Sequence, residues 1–194
     1  MQTFFKIVVI TVMLLFVLIG CSDDKFTDVK LEVPSIKVTS TSVTNEGKLL
    51  TSSASAQRNN PLGENKSPAV KWDAVEGANY YAVMMFDVNA NWLHLFVTDI
   101  TDTEVSQGTY TDSDIYIGPY PPKSSGIHTY RIAVFAIKEQ PKDTIGKLDG
   151  KNSYEGIVNH LNQVGGKSDN ILAYGYVEGT YTYGDETAPD KETP

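Results

Sequence analysis

The chain has 194 residues, of which 41% are hydrophobic and 21% are charged, so it is long enough to bury one core of ordinary domain size. Its 24 acidic and 16 basic residues give a formal net charge of −8, and an acidic surface repels the phosphate backbone of nucleic acids. A nucleic-acid partner is therefore not expected. The single cysteine excludes an internal disulfide and leaves the redox compartment open.

The first twenty residues have the pattern of a secretion signal. Lys6 precedes an apolar run over residues 7–19, which is shorter than the roughly 20 residues of a membrane-spanning helix. The run ends in Leu-Ile-Gly-Cys, which resembles the lipobox of bacterial lipoproteins, where the cysteine is acylated and becomes the mature N-terminus. An ordinary secretory signal with an incidental cysteine is the alternative. We predict a signal peptide over residues 1–20 and lipidation of Cys21, which anchors the protein to a cell-envelope membrane, facing outside the cytoplasm.

Two polar segments flank the predicted domain. Residues 21–33 are polar and mixed in charge, as is typical of a tether between lipid and domain. Residues 184–194 are acidic and contain proline, which predicts a disordered tail. The folded domain is therefore predicted over residues 34–183.

The first half of the domain reads as strands separated by loop. Residues 35–42 are rich in β-branched side chains and predict a strand, whereas the Ser-, Asn-, Gly- and Pro-rich residues 45–68 predict a long loop. Residues 80–86 and 92–97 are apolar on both alternating faces, apart from His94, and a short polar segment separates them. This pattern predicts a hairpin of two buried strands.

Residues 115–137 are the most distinctive stretch of the chain. They begin with a turn that contains three prolines, which neither a helix nor a central strand accommodates because proline lacks a backbone donor. His128 then opens a segment that is apolar on both alternating faces, as is typical of a central strand buried on both sides. A rigid loop that leads into a buried strand is a suitable mount for a polar site at the end of a sheet.

One helix is predicted near the end of the domain. Asn152 followed by Glu155 fits a capping pattern, apolar residues recur at helical spacing up to Val164, and two glycines end the helix. Residues 170–183 return to strand character. Many strands with one late helix predict a mostly β fold, an antiparallel β-sandwich with a peripheral C-terminal helix.

Three of these segments resemble the phosphatidylethanolamine-binding protein family, whose eukaryotic members include Raf kinase inhibitor proteins. The pattern Gly-Pro-x-Pro-Pro followed by Gly-x-His-x-Tyr is matched by Gly118, Pro119, Pro121, Pro122, Gly126, His128 and Tyr130. Residues 65–72 are similar to the family's entry strand, with Val70 in place of leucine, and residues 170–183 are similar to its closing strand. The resemblance covers residues 36–183 and implies the same β-sandwich.

The histidines of the two apolar strands point to a polar site. A buried polar group needs a partner, so His94 and His128 are either two separately satisfied core histidines or parts of one site. The resemblance implies the second reading, because in the family these two strands and the loop before the first of them converge on a small anion-binding pocket for phosphate-type headgroups. The candidate ligand-binding residues are Asp87, His94, Gly118, Pro119, His128, Tyr130, Tyr116 and Tyr120, with Tyr176, Tyr181 and Tyr183 as further candidates for the wall.

An anion site of this composition has a physical basis. Two imidazoles can each donate a hydrogen bond, more strongly when protonated, and Asp87 can orient one of the rings. Backbone N–H groups of Gly118 and its neighbours can point at oxygens of the ligand. We therefore expect the affinity for a phosphate-type anion to rise as the pH falls towards about 6.

The loop over residues 87–91 departs from the family's Asp-Pro-Asp-x-Pro pattern. The second aspartate is asparagine here, which makes the site less negative, and the last proline is also asparagine. A cis bond before a residue other than proline costs about 2.5–4 kcal/mol, so we predict a trans Ala90–Asn91 peptide and a reshaped pocket mouth. Thr129 replaces the arginine that is common after the second histidine.

Three other functions compete with this interpretation. A metal enzyme using His94, His128 and Asp87 is conceivable, but the sequence shows no short helical metal-ligand spacing. Nucleophilic catalysis lacks a Gly-x-Ser-x-Gly motif, and the sole cysteine belongs to the lipobox. An interaction or inhibitor module, acting on a protease or a surface partner, would use an apolar pocket rim. The sequence predicts a binding protein without enzymatic activity, metal or cofactor, whose ligand is a small anion or a phospholipid headgroup.

Overall fold

A computed structural model of the chain describes residues 26–143 and 147–190. The predicted signal peptide and the predicted lipidation site, Cys21, lie outside the described residues. In the part of the chain that is described, no helix has both the length and the apolar character needed to cross a membrane.

Two antiparallel sheets form the fold. The strands, in chain order, are β1 (Val38–Thr39), β2 (Val70–Trp72), β3 (Tyr80–Asp87), β4 (Trp92–Ile100), β5 (Glu104–Val105), β6 (His128–Ile137) and β7 (Ile171–Tyr181). The larger sheet has the order β4-β3-β6-β7 and the smaller has the order β1-β2-β5. The predicted hairpin is the β3–β4 pair, although the strand predicted over residues 35–42 is reduced to β1. The prediction of a mostly β antiparallel sandwich is confirmed.

Strand β6 is central and buried on both faces, as its sequence predicts. It pairs with β3 on one side and β7 on the other. Ile132 and Val134 point into the core between the sheets, whereas Ala133 and Phe135 point into a second core on the outer face of the larger sheet. Burying side chains of this size stabilises the fold by about 1.5–3 kcal/mol each, which explains why almost every position of the strand is apolar.

Helix α1 (Tyr154–Asn162) covers the outer face of the larger sheet. The residue that caps it is Ser153, not the predicted Asn152, and its hydroxyl accepts a hydrogen bond from the N–H of Gly156 at 3.0 Å. A serine at this position satisfies one of the free N–H groups of the first turn. Val164 lies beyond the end of the helix, and the residues that α1 buries are Tyr154, Ile157, Val158 and Leu161.

Both flanking segments contact the domain. Residues 26–33, predicted as tether, pack Phe26 and three aliphatic side chains against the outer core. Residues 184–190, predicted as disordered, are held by hydrogen bonds such as that from the N–H of Thr51 to the carbonyl oxygen of Thr187 at 3.0 Å. The prediction of disorder therefore does not hold over residues 184–190, and the described part of the predicted tether is packed on the domain.

Candidate functional site

A cavity of about 430 Å³ lies where β3 ends, β4 and β6 begin, and the chain leaves β7. Its position at one end of the larger sheet agrees with the site predicted from the two histidines. The residues that line it are Arg58, Asp87, Ala90, Trp92, His94, Tyr120, Pro121, Pro122, Lys123, His128, Tyr130 and Tyr183. Of the eight predicted ligand-binding residues, the structure places Asp87, His94, Tyr120, His128 and Tyr130 in this wall.

A β-bulge directs His94 towards the cavity. Met85 pairs with Leu95 and the next residue of β3 pairs with Leu93, so His94 is the extra residue of β4 and has no partner in the pairing. Leu93 belongs to the outer core and Leu95 to the core between the sheets. The bulge turns the His94 side chain to the inner side, where its ring contacts that of Tyr130 edge-on at 5.3 Å. The strand thus remains apolar on both faces and still presents one polar side chain to the cavity.

His94 is held as a neutral ring. Its Nδ1 lies 2.5 Å from the carbonyl oxygen of Ile117, and because a carbonyl only accepts, Nδ1 carries the proton. Burial lowers the pKa of His94, and the Ile117 carbonyl and the Asp87 carboxylate only partly offset this effect. At neutral pH, Nε2 is therefore an acceptor, and it makes no hydrogen bond to a described residue. The expectation that both imidazoles donate to an anion does not hold for neutral His94.

Asp87 fixes the orientation of His128. Nδ1 of His128 lies 2.6 Å from Oδ2 of Asp87, and the two side chains are buried. The other carboxylate oxygen, Oδ1, accepts hydrogen bonds from the N–H groups of Asn89 and Ala90, both at 2.9 Å. The Asp87 carboxylate is thus fully used inside the protein, which confirms the predicted role of orienting one ring.

Ser125 is the hydrogen-bond partner of the second ring nitrogen of His128. Nε2 of His128 lies 2.9 Å from Oγ of Ser125, while the hydroxyl of Ser125 donates to the carbonyl oxygen of Pro122 at 2.8 Å. Both ring nitrogens of His128 therefore have protein partners. A ligand can contact Nε2 only if it displaces the Ser125 hydroxyl.

Gly118 and Pro119 hold the loop together and do not line the cavity, contrary to the prediction. The N–H of Gly118 donates to Oδ1 of Asn65 at 2.8 Å, so it is not available to a ligand. A Cβ on Gly118 would lie 2.6 Å from the backbone of Ala54, so only glycine fits there. The carbonyl oxygen of Pro119 accepts a hydrogen bond from the side chain of Asn59 at 2.6 Å.

Three of the candidate tyrosines also lie outside the cavity. Tyr116 is fully buried, and its hydroxyl donates to the carbonyl oxygen of Ser53 at 2.6 Å. Tyr181 is fully buried in the core between the sheets, and Tyr176 lies on the outer face under Arg131. These three are packing residues, which is the alternative that the sequence left open for tyrosine.

Two cationic side chains that were not among the predicted site residues lie at the mouth of the cavity. Arg58 and Lys123 are both exposed, and neither forms an ion pair within the described ranges. The guanidinium carbon of Arg58 lies 4.8 Å from the centre of the Tyr120 ring, which is a cation–π contact. Arg58 is one of only two arginines in the chain and lies in the long predicted loop, so its position depends on tertiary hydrogen bonds.

One ring donor in the cavity wall lacks an acceptor. Nε1 of Trp92 is buried and has no hydrogen-bond partner among the described residues, whereas the buried hydroxyl of Tyr130 lies near the Asp87 carboxylate. Burial and the nearby carboxylate of Asp87 raise the pKa of Tyr130, so its hydroxyl keeps its proton. The sequence placed Trp92 only in a buried strand. A signal for its place in the cavity wall was available, because Trp92 stands two positions before the strand histidine His94.

The loop over residues 87–91 has the predicted trans peptide between Ala90 and Asn91. Asn91 adopts a positive φ of 50° and is buried. Oδ1 of Asn89, which stands where the family has a second aspartate, accepts a hydrogen bond from the N–H of Thr129 at 2.8 Å. The amide at position 89 therefore ties the loop to the start of β6. Within residues 26–143 and 147–190, no group of three or more His, Cys, Asp or Glu side chains is arranged to hold a metal ion.

Two comparisons of sequence relate the chain to known proteins. The sequence model of the family described as phosphatidylethanolamine-binding protein matches residues 39–182. A protein of Drosophila melanogaster named as odorant-binding protein A5 is 26% identical over 102 residues, which cover 45% of this chain and 47% of that protein. The match to this relative thus spans about half of its length.

Two solved structures are similar to this one. Escherichia coli YbcL, described as a new member of the mammalian PEBP family, has 24% identity and a TM-score of 0.58 over 76% of this chain and 98% of that chain. Chlamydia trachomatis CT736, described as a homologue of phosphatidylethanolamine-binding protein, has 18% identity and a TM-score of 0.55 over 76% of this chain and 97% of that chain. At these identities the likeness shows a shared fold.

The family match is the finding that assigns the chain. It spans residues 39–182, which include the whole larger sheet, helix α1 and every residue that lines the cavity except Tyr183. The chain therefore belongs to the phosphatidylethanolamine-binding protein family.

Proposed function

We propose that the protein is a membrane-anchored binding protein of the cell envelope whose cavity takes a small anion of the phosphate or phospholipid-headgroup type. The observation that carries this proposal is the pair of cations at the mouth, Arg58 and Lys123. They line the same cavity as a carboxylate, Asp87, whose oxygens already accept hydrogen bonds from the protein. The chain as a whole has a formal net charge of −8, so a cation pair without carboxylate partners is a local exception that favours an anion.

The names of similar proteins agree with a binding role. The family is described as phosphatidylethanolamine-binding, and the Drosophila relative is named as an odorant-binding protein. Both names denote proteins that bind small molecules. For this chain, a headgroup and a free anion share the same phosphate chemistry, so an experiment has to separate them.

A binding role also fits the chemistry of Ser125 better than catalysis does. Asp87, His128 and Ser125 are linked in the order of a serine hydrolase triad, but the carbonyl oxygen of Pro122, 2.8 Å from the Ser125 hydroxyl, competes with Nε2 of His128 for its single proton. A nucleophilic serine directs its proton to the histidine base. We propose that Ser125 and Asp87 hold the ring of His128 in place, and that the protein is not an enzyme.

Calorimetric titration tests the anion proposal. The wild-type domain at pH 7 is titrated with inorganic phosphate and with phosphoethanolamine, and binding of either one supports the proposal. The double variant Arg58→Gln, Lys123→Gln should lose most of the affinity, whereas Lys37→Gln, which removes an exposed cation outside the cavity, should keep it. Stronger binding of phosphoethanolamine than of phosphate indicates a headgroup. Absence of binding by both probes would refute the proposed function.

The membrane anchor is tested separately. If Cys21 is acylated, cells fed a labelled fatty acid incorporate the label into the protein and retain it in the membrane fraction. Cys21→Ala should abolish both the label and the retention. Unlabelled wild-type protein recovered wholly in the soluble fraction would contradict lipidation.

An interaction or inhibitor module is the second candidate, and it depends on an apolar pocket rim. Ile127, next to His128, is 66% exposed but is not among the residues that line the cavity. The other exposed large apolar side chains among the described residues, Leu62, Ile115 and Tyr176, do not line it either. A single isoleucine is not a contiguous apolar patch, so the charged mouth favours the anion site.

A further inference from the structure

The cavity is larger and more aromatic than an inorganic anion requires. Its volume of about 430 Å³ lies in the range of sites for organic ligands of roughly 300–1,000 Å³. The rings of Trp92, Tyr120 and Tyr130 form much of its wall, together with two prolines of the loop before β6. Phosphate alone would leave this aromatic surface uncovered, so the cavity has room for an apolar group attached to the anion.

Arg58 is positioned to bind an acid group at the edge of that aromatic wall. Its guanidinium lies over the face of the Tyr120 ring, 4.8 Å from the ring centre. A guanidinium that contacts a ring face can still bind a carboxylate or phosphate through two N–H groups side by side. Within the described chain, Arg58 contacts the Tyr120 ring and donates no hydrogen bond to another residue.

Pro119 explains why Arg58 stays at the cavity. The carbonyl oxygen of Pro119 accepts hydrogen bonds from the N–H of Ser55 at 3.0 Å and from the side chain of Asn59 at 2.6 Å. These bonds tie the backbone on both sides of Arg58 to the residue that precedes Tyr120. The cation and the ring on which it lies are therefore carried by two loops that are joined directly.

We propose that the cavity selects organic acids built on a flat ring, such as aryl phosphates, with the acid group on Arg58 and the ring against Trp92 and Tyr130. The proposal rests on the proposed function and specifies its ligand class. Trp92 Nε1 supports it, because it is a buried donor without a partner in the described chain. A ligand that shifts this ring slightly can offer it the acceptor that it lacks.

A matched pair of ligands tests the role of the ring. Methyl phosphate and phenyl phosphate carry the same acid group, so calorimetric titration of the wild-type domain with both isolates the contribution of the ring. We expect phenyl phosphate to bind several-fold to about tenfold more tightly, because stacking on aromatic side chains adds to the affinity gained from the ring area that is buried. Equal affinities for the two phosphates would overturn the ring proposal and leave the anion site in place. Binding of neither would overturn both.

Variants of Arg58 test the grip on the acid. Arg58→Gln should weaken phenyl phosphate binding at least about tenfold. Arg58→Lys keeps the charge but loses the paired N–H donors, so its affinity should lie between those of the wild type and Arg58→Gln. Lys37→Gln, an exposed cation away from the cavity, should bind phenyl phosphate as the wild type does. Arg58 is exposed, so thermal unfolding should show that each variant is folded. Unchanged affinity in Arg58→Gln would contradict the proposal.

Discussion

His128 and Asp87 form a buried hydrogen-bonded pair at the start of β6, with Nδ1 of the histidine 2.6 Å from Oδ2 of the aspartate. Their side chains are only 8% and 4% exposed. The same carboxylate accepts two backbone N–H groups of the loop that follows β3, so it connects that loop, the ring and the cavity wall. Asp87 therefore stabilises the fold as well as the site.

Removing this carboxylate should destabilise the protein measurably. Asp87→Ala leaves the buried His128 ring and the N–H groups of Asn89 and Ala90 without their acceptor, and we expect a loss of about 3–5 kcal/mol in the free energy of unfolding. Asp87→Asn should cost less, because its amide can still accept from the two N–H groups. Urea denaturation at pH 7 measures both effects.

Asp73→Ala is the matched control for Asp87→Ala. Asp73 is exposed, so Asp73→Ala should change the free energy of unfolding by no more than about 0.5 kcal/mol. If Asp87→Ala were as mild as Asp73→Ala, the pair with His128 would contribute nothing to stability.

Gly118 should tolerate no side chain. In Gly118→Ala the new Cβ would lie 2.6 Å from the carbonyl oxygen of Ser53 and from the backbone of Ala54. Because backbone cannot give way as a flexible side chain does, we expect a loss of about 1–3 kcal/mol in the free energy of unfolding. Ser124→Ala, an exposed position in the same loop, should have little effect in the same urea experiment. Equal stability of the two variants would mean that the loops over residues 51–65 and 116–123 do not pack as described.

The sequence predicts the larger sheet and the centre of the site well. Strands β3, β4 and β6 are apolar on both faces because each is covered by two cores, and that pattern is visible in the residues alone. The residues alone indicated that Asp87, His94 and His128 each interrupt or end an apolar strand, and the family resemblance implied that they converge on one pocket.

The roles of the loop residues were not predictable in the same way. A Gly-Pro turn in the sequence indicates a bend, but it does not say which neighbour takes the free N–H of Gly118. That partner is Asn65, more than fifty residues away. Arg58 was missed for the same reason, since hydrogen bonds to Pro119 place its loop. The packing of residues 26–33 had a signal, because Val29, Leu31 and Val33 alternate, but charged residues between them obscured it.

The buried state of His94 makes stability depend on pH in a defined direction. Burial lowers the pKa of His94 in the folded protein below its usual value of 6.5, so the unfolded chain takes up a proton at this position first as the pH falls. Stability that is present above about pH 6.5 is therefore lost progressively as the pH falls towards the lower pKa of the folded state. His94→Gln removes this titration.

Urea midpoints at pH 7.5 and pH 5.5 measure the effect of His94. We expect the midpoint to fall between these pH values by more in the wild type than in His94→Gln, because the other titrating groups are common to both proteins. An equal fall in the two proteins would show that His94 takes up its proton as readily when folded as when unfolded.

Arg131 should hold the N-terminal segment on the outer face of the larger sheet. Its guanidinium binds the carboxylates of Asp28 at 2.6 Å and Glu178 at 2.8 Å and lies 4.0 Å from the centre of the Tyr176 ring. Burial by itself lowers the pKa of Arg131, but the hydrogen bonds to Asp28 and Glu178 outweigh it and raise the pKa above its usual value. The guanidinium therefore remains charged.

Hydrogen exchange tests this contact. Arg131→Met keeps an apolar side chain of similar length but loses both ion pairs, so we expect residues 26–33 to exchange about tenfold faster while the amides of β6 stay protected. Lys71→Met removes an ion pair with Glu104 in which both side chains are more than 60% exposed, and it should leave exchange unchanged. Unaltered exchange over residues 26–33 in Arg131→Met would mean that the apolar contacts alone hold the segment.

The proposed function requires that an anion bind in the cavity beside the cations at its mouth, Arg58 and Lys123. Crystals of the domain soaked in selenate, an anion with an anomalous signal, test it most directly. We predict an anomalous peak inside the cavity, within hydrogen-bonding distance of the Arg58 guanidinium and absent from Arg58→Gln crystals soaked in the same way. Peaks confined to the outer surface, with none beside Arg58, would contradict the account.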